Sequence, residues 1–161
     1  VNTDSSPTST PIAVAAPVPA PISRVFAFLA DPENHRRLAG SRLDLLDLDD
    51  GEQLRGGAIL IRGPLLIRRR ADTRVASIRA PHLIAGVARL GPQTRAIVSW
   101  ELDQDTSGCT RVVLTADPCS LSRADRLLLR LGGARWIRTL FAETIERLAA
   151  QLTQSPAAAV S

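Results

Sequence analysis

From Leu43 to Ala116 apolar residues alternate with polar ones, and turn residues interrupt the alternation at short intervals. That pattern restricts the fold more than any other feature of the chain. Leu43–Leu48 runs through Asp50-Gly51 into Leu54–Arg62, and Gly63-Pro64 separates this pair from Leu65–Ile78. Ala80-Pro81 precedes Leu83–Leu90, Gly91-Pro92 precedes Thr94–Asp103, and Ser107-Gly108 leads into Cys109–Ala116. Asp-Gly and similar pairs between alternating runs are hairpin signals. Parallel neighbours would need crossovers of about a dozen residues or more, so these stretches are expected to pair antiparallel as a meander. Ala96, Val98, Trp100 and Leu102 share one face of their strand, while Arg95, Ser99, Glu101 and Asp103 share the other. In the last strand Val112, Leu114 and Ala116 alternate with Arg111 and Thr115. One face of the sheet is therefore covered and the other wet.

The cover is expected from Leu121–Leu152. Ser122 and Asp125 have the spacing of a capping box, and Ile137, Leu140, Phe141, Ile145, Leu148 and Leu152 form a helical stripe opposite Arg135, Thr139, Glu143 and Glu146. As one straight rod the segment would reach about 48 Å, against a radius of gyration of roughly 15 Å for a domain of this size. It should bend at Gly132-Gly133, leaving a longer limb from Ala134 to about Leu152. The glycine pair is expected to act as a hinge near Trp136 and Phe141.

At the other end, residues 1–10 lack an apolar pattern and are expected to be a disordered tail, as is 154–161. Residues 11–153 form the single expected domain, large enough to bury a core without metal or disulfide. Ile12–Ala16 reads as a strand closed by Pro17 and Pro19. Pro21 suits the first turn of a helix carrying Ile22, Val25, Phe26 and Leu29. Asp31-Pro32 ends it and opens a second short helix, Glu33–Leu38, stopped by Gly40.

A strand, two short helices, six antiparallel strands and a long C-terminal helix is the order of the helix-grip fold. The chain resembles the START-like, Bet v 1-like superfamily, in its SRPBCC or polyketide cyclase/dehydrase branch. The resemblance is carried by Ala16-Pro17, by Val25-Phe26-x-x-Leu29-x-Asp31-Pro32-x-Asn34-His35, and by Ser107-Gly108-Cys109-Thr110-Arg111-Val112, and it covers residues 11–152. Leu38 stands where the family often has Trp, and Cys109 where Gly is common. The resemblance implies an α+β helix-grip fold: a curved seven-stranded antiparallel sheet wrapped around a long kinked C-terminal helix, with two short helices between the first and second strands. It also implies a cavity between sheet and helix that binds or carries a small hydrophobic or amphipathic ligand, such as a lipid, quinone or polyketide. Candidate lining residues are Val98, Trp100, Leu102, Val112 and Leu114 from the sheet and Trp136, Leu140 and Phe141 from the helix. The plainer reading of each is core packing, with Trp136 at the flank of the stripe.

Two alternatives stand beside the carrier: a cyclase/aromatase-type enzyme, by resemblance alone, and an interaction module. Of the two histidines, His35 lies in the second helix and His82 at a turn, which makes His82 a weak catalytic candidate and an exposed turn residue in the plainer reading. Glu101 points to solvent by parity, Asp31 suits a helix cap and Asp117-Pro118 a turn. No carboxylate pair, Ser-His-Asp set or metal cluster emerges, so no catalytic set, metal or cofactor is expected. Cys109 and Cys119 lack metal or redox spacing. Arg68, Arg70 and Arg74 share a strand face opposite Arg69 and are a possible anion-binding set, or a solvated outer face; as an interaction module this strand would dock on an acidic protein or an anionic membrane surface.

The net charge is +4, and every basic residue is arginine. With three Phe, two Trp and no Tyr there is no evident base-stacking platform, so nucleic acid is not an expected partner. No apolar run approaches the ~20 residues of a membrane span, and peripheral membrane contact remains open. The expectation is a cytoplasmic monomer or homodimer.

Overall fold

A computed structural model of the chain describes residues 9–48, 55–64 and 67–154. Seven strands form one antiparallel sheet: β1 (Ile12–Val18), β2 (Leu43–Leu48), β3 (Gly56–Arg62), β4 (Arg68–Arg79), β5 (Leu83–Leu90), β6 (Thr94–Gln104) and β7 (Thr110–Ser120). Their spatial order is β1-β7-β6-β5-β4-β3-β2, so the first strand pairs with the last and β2 lies at the opposite edge. To reach β2 the chain must cross the width of the sheet. Two short helices, α1 (Ile22–Ala30) and α2 (Pro32–Leu38), carry it across.

This is the expected helix-grip arrangement, with differences at two prolines. β1 continues through Pro17 to Val18 because it is an edge strand, where a missing N–H need not interrupt a ladder. Asp117-Pro118, expected in a turn, belongs to β7: Pro118 pairs with Ala96, and the register shifts beside it between Arg95 and Ala96. β1 reaches only to Ala116 of β7, so beyond that residue one side of β7 is unpaired and tolerates proline. The Asp50-Gly51 hairpin, the expected strand starts at Leu54 and Leu65, and most of both expected tails lie outside the described residues.

The turn between α1 and α2 explains the Asp31–His35 motif. The Asp31 carboxylate accepts from the Glu33 backbone N–H at 3.0 Å and caps α2, while Pro32 fills the first helical position. Two carbonyls at the end of α1 are then satisfied by side chains of α2. Asn34 donates to Phe28 O at 3.2 Å, and the His35 Nε2–H donates to Leu29 O at 2.6 Å. At the other motif, Asp105 gathers the β6–β7 turn by accepting from the backbone of Ser107 and Cys109, and buried Thr110 donates to Ala20 O at 2.7 Å.

The closing segment splits as its sequence requires. Ser122 caps α3 (Arg123–Leu128), the chain kinks within Leu129–Gly133, where Leu131 and Gly132 leave helical φ/ψ, and α4 runs from Ala134 to Gln154. Gly132 has φ 113°, a left-handed conformation that residues with a Cβ adopt at a cost. A Cβ on Gly133 would stand 2.7 Å from the Leu128 carbonyl oxygen. Both glycines are thus needed by the bend itself. The C-terminal half of α4 enters the core: Ile145, Leu148 and Leu152 pack with Val18, Val25, Leu29, Leu102, Val112 and Leu114.

Candidate functional site

Strand pairing fixes which side chains share the inner face. Val14, Leu114, Trp100, Ile84 and Ile78 form one row across β1, β7, β6, β5 and β4. Ile12, Ala116, Val98, Gly86 and Val75 form the next. Burial along these rows is uneven. Ile12, Leu114 and Ile84 are buried, but Ala116, Val98, Val75 and Trp100 are half-buried and Ile78 is 46% exposed. α4 lies closest to β1 and β7, so the apolar face on β4–β6 keeps solvent access where the helix does not cover it.

This separates the expected lining residues into two sets. Leu102, Val112, Leu114 and Leu140 are buried, and the first three belong to the continuous core. Val98, Trp100 and Phe141 are half-buried against that core, and Trp136 is half-buried on the flank of α4. Of the second set, Val98 and Trp100 lie on the inner face of β6, while Trp136 and Phe141 lie on different sides of α4. Trp136 is followed at helical spacing by Glu143 and Arg147 on this flank, which is pinned to the α2–β2 turn. Glu143 pairs with Arg42 at 3.5 Å, and Arg147 reaches the Leu38 carbonyl at 3.5 Å across Gly40.

The start of the closing segment is held by a polar cluster that sequence spacing only half revealed. Asp125 is 6% exposed and accepts hydrogen bonds from Arg69, Thr94 and, at 2.7 Å, from the Ser122 hydroxyl. Arg69 Nη2 also reaches the second oxygen of Asp125 at 3.2 Å, making the pair bidentate. Ser122 and Asp125 do form the expected cap, with the Asp125 N–H donating to Ser122 Oγ at 3.0 Å. What the spacing did not reveal is that the carboxylate turns toward the sheet. Arg69, the residue of opposite parity in the arginine run, is the one that faces inward.

Arg68, Arg70 and Arg74 lie exposed on the outer face, where Arg70 pairs with Asp72 at 3.0 Å. His82 is exposed, and its Nδ1–H donates to Leu102 O at 3.0 Å, at the end of the β5–β6 pairing. His35 is enclosed, and burial lowers its pKa from the ordinary 6.5, against the raising effect of its bond to Leu29 O and of nearby Asp31. Its ring N–H braces α2 against the end of α1. No group of three or more His, Cys, Asp or Glu with metal-binding geometry occurs among the described residues. Nor is any helix among them long and apolar enough to cross a membrane.

Comparison with known proteins agrees with this architecture. The sequence profile of the family described as polyketide cyclase/dehydrase and lipid transport matches residues 10–153. Among solved structures, Ms6760 from Mycobacterium smegmatis superposes with a TM-score of 0.67 at 17% identity, over 91% of this chain and 92% of that one. TTHA0849 from Thermus thermophilus gives 0.68 at 15% identity, over 91% and 100%. DynU16, a protein of the dynemicin biosynthetic locus, gives 0.61 at 16% identity over 89% of this chain, which spans only 47% of its length. At these identities the likeness is one of fold. No curated protein matches the chain.

Proposed function

We propose a function from one premise: the chain belongs to the polyketide cyclase/dehydrase and lipid transport family. It binds and carries a small hydrophobic or amphipathic molecule between the concave face of the sheet and α4. The observation that carries this reading is the partial exposure of Val98, Trp100 and Phe141, which point into the grip yet are not sealed by it. Apolar side chains left open to water on an inner face gain when a ligand covers them, by about 25 cal/mol per Å2. The only charged side chain on the inner face of the paired strands, among the described residues, is Arg69, and Asp125 already occupies it. That arrangement suits a carrier better than proton-transfer chemistry.

The test is native mass spectrometry of gently purified protein, followed by a binding screen of fatty acids, quinones and aromatic polyketides. A co-purifying or titratable apolar ligand, displaced or weakened by Trp100→Ala, supports carriage. Absence of any binder, or binding indifferent to Trp100 and Phe141, sinks it.

A further inference from the structure

α3 has its amphipathic character reversed relative to the sheet it sits on. Asp125 and Leu129, four residues apart, share the face turned inward, where Asp125 is buried against Arg69. Leu127 and Leu128, at the end of α3, and Leu131, in the bend, are turned to solvent. Leu127 is 57% exposed, Leu128 42% and Leu131 75%, the last being the most exposed large apolar side chain among the described residues. The bend lies open beside them: no atom lies within 4 Å of where a Cβ on Gly132 would stand. A protein surface rarely exposes three leucines around one bend without a partner for them.

The charges around the leucines identify the partner. Arg123, Arg126, Arg130, Arg135 and Arg138 are all exposed, and the one acidic residue in Ser122–Arg138 is Asp125, already spent on Arg69. None of these five forms an ion pair among the described residues. Three of them, Arg126, Arg130 and Arg138, line a pocket of about 200 Å3 with Ser9 and Thr10 of the segment leading into β1. Arginine side chains lining one hollow are suited to a phosphate oxygen. A second copy of the chain meeting it through the same face would bring arginines against arginines. A protein partner would need a surface matched to three leucines and their arginines, whereas a lipid surface adapts to them.

We propose that the elbow from Arg123 to Arg138 docks on an anionic phospholipid bilayer. Leu127, Leu128 and Leu131 enter the boundary between headgroups and acyl chains, the surrounding arginines stay at headgroup level, and the three-arginine pocket takes a lipid phosphate. This goes beyond the ligand reading and holds whether or not the grip carries a lipid.

The experiment is co-sedimentation of the full chain with phosphatidylcholine vesicles containing phosphatidylglycerol, and with phosphatidylcholine vesicles alone. The wild type is expected to bind the anionic vesicles, with affinity falling as salt rises, and not the neutral ones. Each leucine replaced by serine is expected to weaken binding about tenfold, so Leu127→Ser with Leu131→Ser loses nearly all of it. Arg126→Gln with Arg130→Gln weakens binding and flattens its salt dependence. Leu131→Trp adds a second readout that needs no loss of binding: its emission shifts to the blue on anionic vesicles only. No binding to anionic vesicles, binding unchanged by the serine pair, or a leucine-dependent dimer in sedimentation equilibrium would each overturn the proposal.

Discussion

Arg69 on β4 and Asp125 on α3 form a bidentate ion pair that ties the inner face of the sheet to the start of the closing segment. At this end of the grip polar bonds hold the helix, while at the other end Ile145 and Leu148 hold it by apolar burial. Removing one partner strands the other. Arg69→Met is expected to cost roughly 2–3 kcal/mol in urea unfolding, below the figure for a fully enclosed pair because Arg69 keeps partial contact with water. Adding Asp125→Asn should recover much of it, since the amide still meets Thr94 and Ser122. Equal stability of Arg69→Met and wild type would show that the pair contributes nothing.

The elbow that follows depends on two glycines for different reasons. Gly132 needs its positive φ, so Gly132→Ala should cost about 1 kcal/mol while Gly132→Asn costs less. Gly133 has an ordinary conformation but faces the Leu128 carbonyl at 2.7 Å from an added Cβ, so Gly133→Ala must shift backbone and should cost more. Thermal unfolding of the three variants orders them, and a reversed order would refute the assignment.

Much of this architecture was legible in the sequence. The bounds of β5 coincide with those of Leu83–Leu90 because turn residues close it at both ends. The bend at Gly132-Gly133 and the cap at Ser122 were legible because both are local devices. Pro17 and Pro118 misled because edge position belongs to the sheet, not to the neighbouring residues. In the arginine run, parity told that Arg69 opposes Arg68 and Arg70. Which set faces inward depends on Asp125, 56 residues away, and no local pattern carries that. The exposed leucines of α3 were hidden for the same reason: a leucine-rich turn looks like core until its buried face proves to be an aspartate.

His35 links folding to pH. Burial lowers its pKa, so the folded state binds fewer protons than the unfolded state between that lowered value and 6.5. Stability is therefore full above 6.5 and declines as pH falls through this window. His35→Gln keeps a donor for Leu29 O and cannot titrate, so its unfolding free energy should be flat where the wild type declines. Parallel slopes from pH 7.5 to 5 would mean that His35 is not the group responsible.

Leu114 and Trp100 are cross-strand neighbours in one row of the inner face, yet they are expected to respond differently to truncation. Leu114 is 3% exposed and fully packed, so Leu114→Ala opens a cavity and should cost about 2–5 kcal/mol. It should leave ligand affinity per folded molecule nearly unchanged. Trp100 is half-buried, so Trp100→Ala should cost less stability than truncating a buried aromatic would. In exchange it removes the largest side chain that a ligand on this face could touch, and affinity for the best apolar binder should fall about tenfold or more. Calorimetric binding and urea unfolding on the same samples distinguish the two roles. If both substitutions lowered stability alone, Trp100 would be core and the carrier reading would lose its main contact.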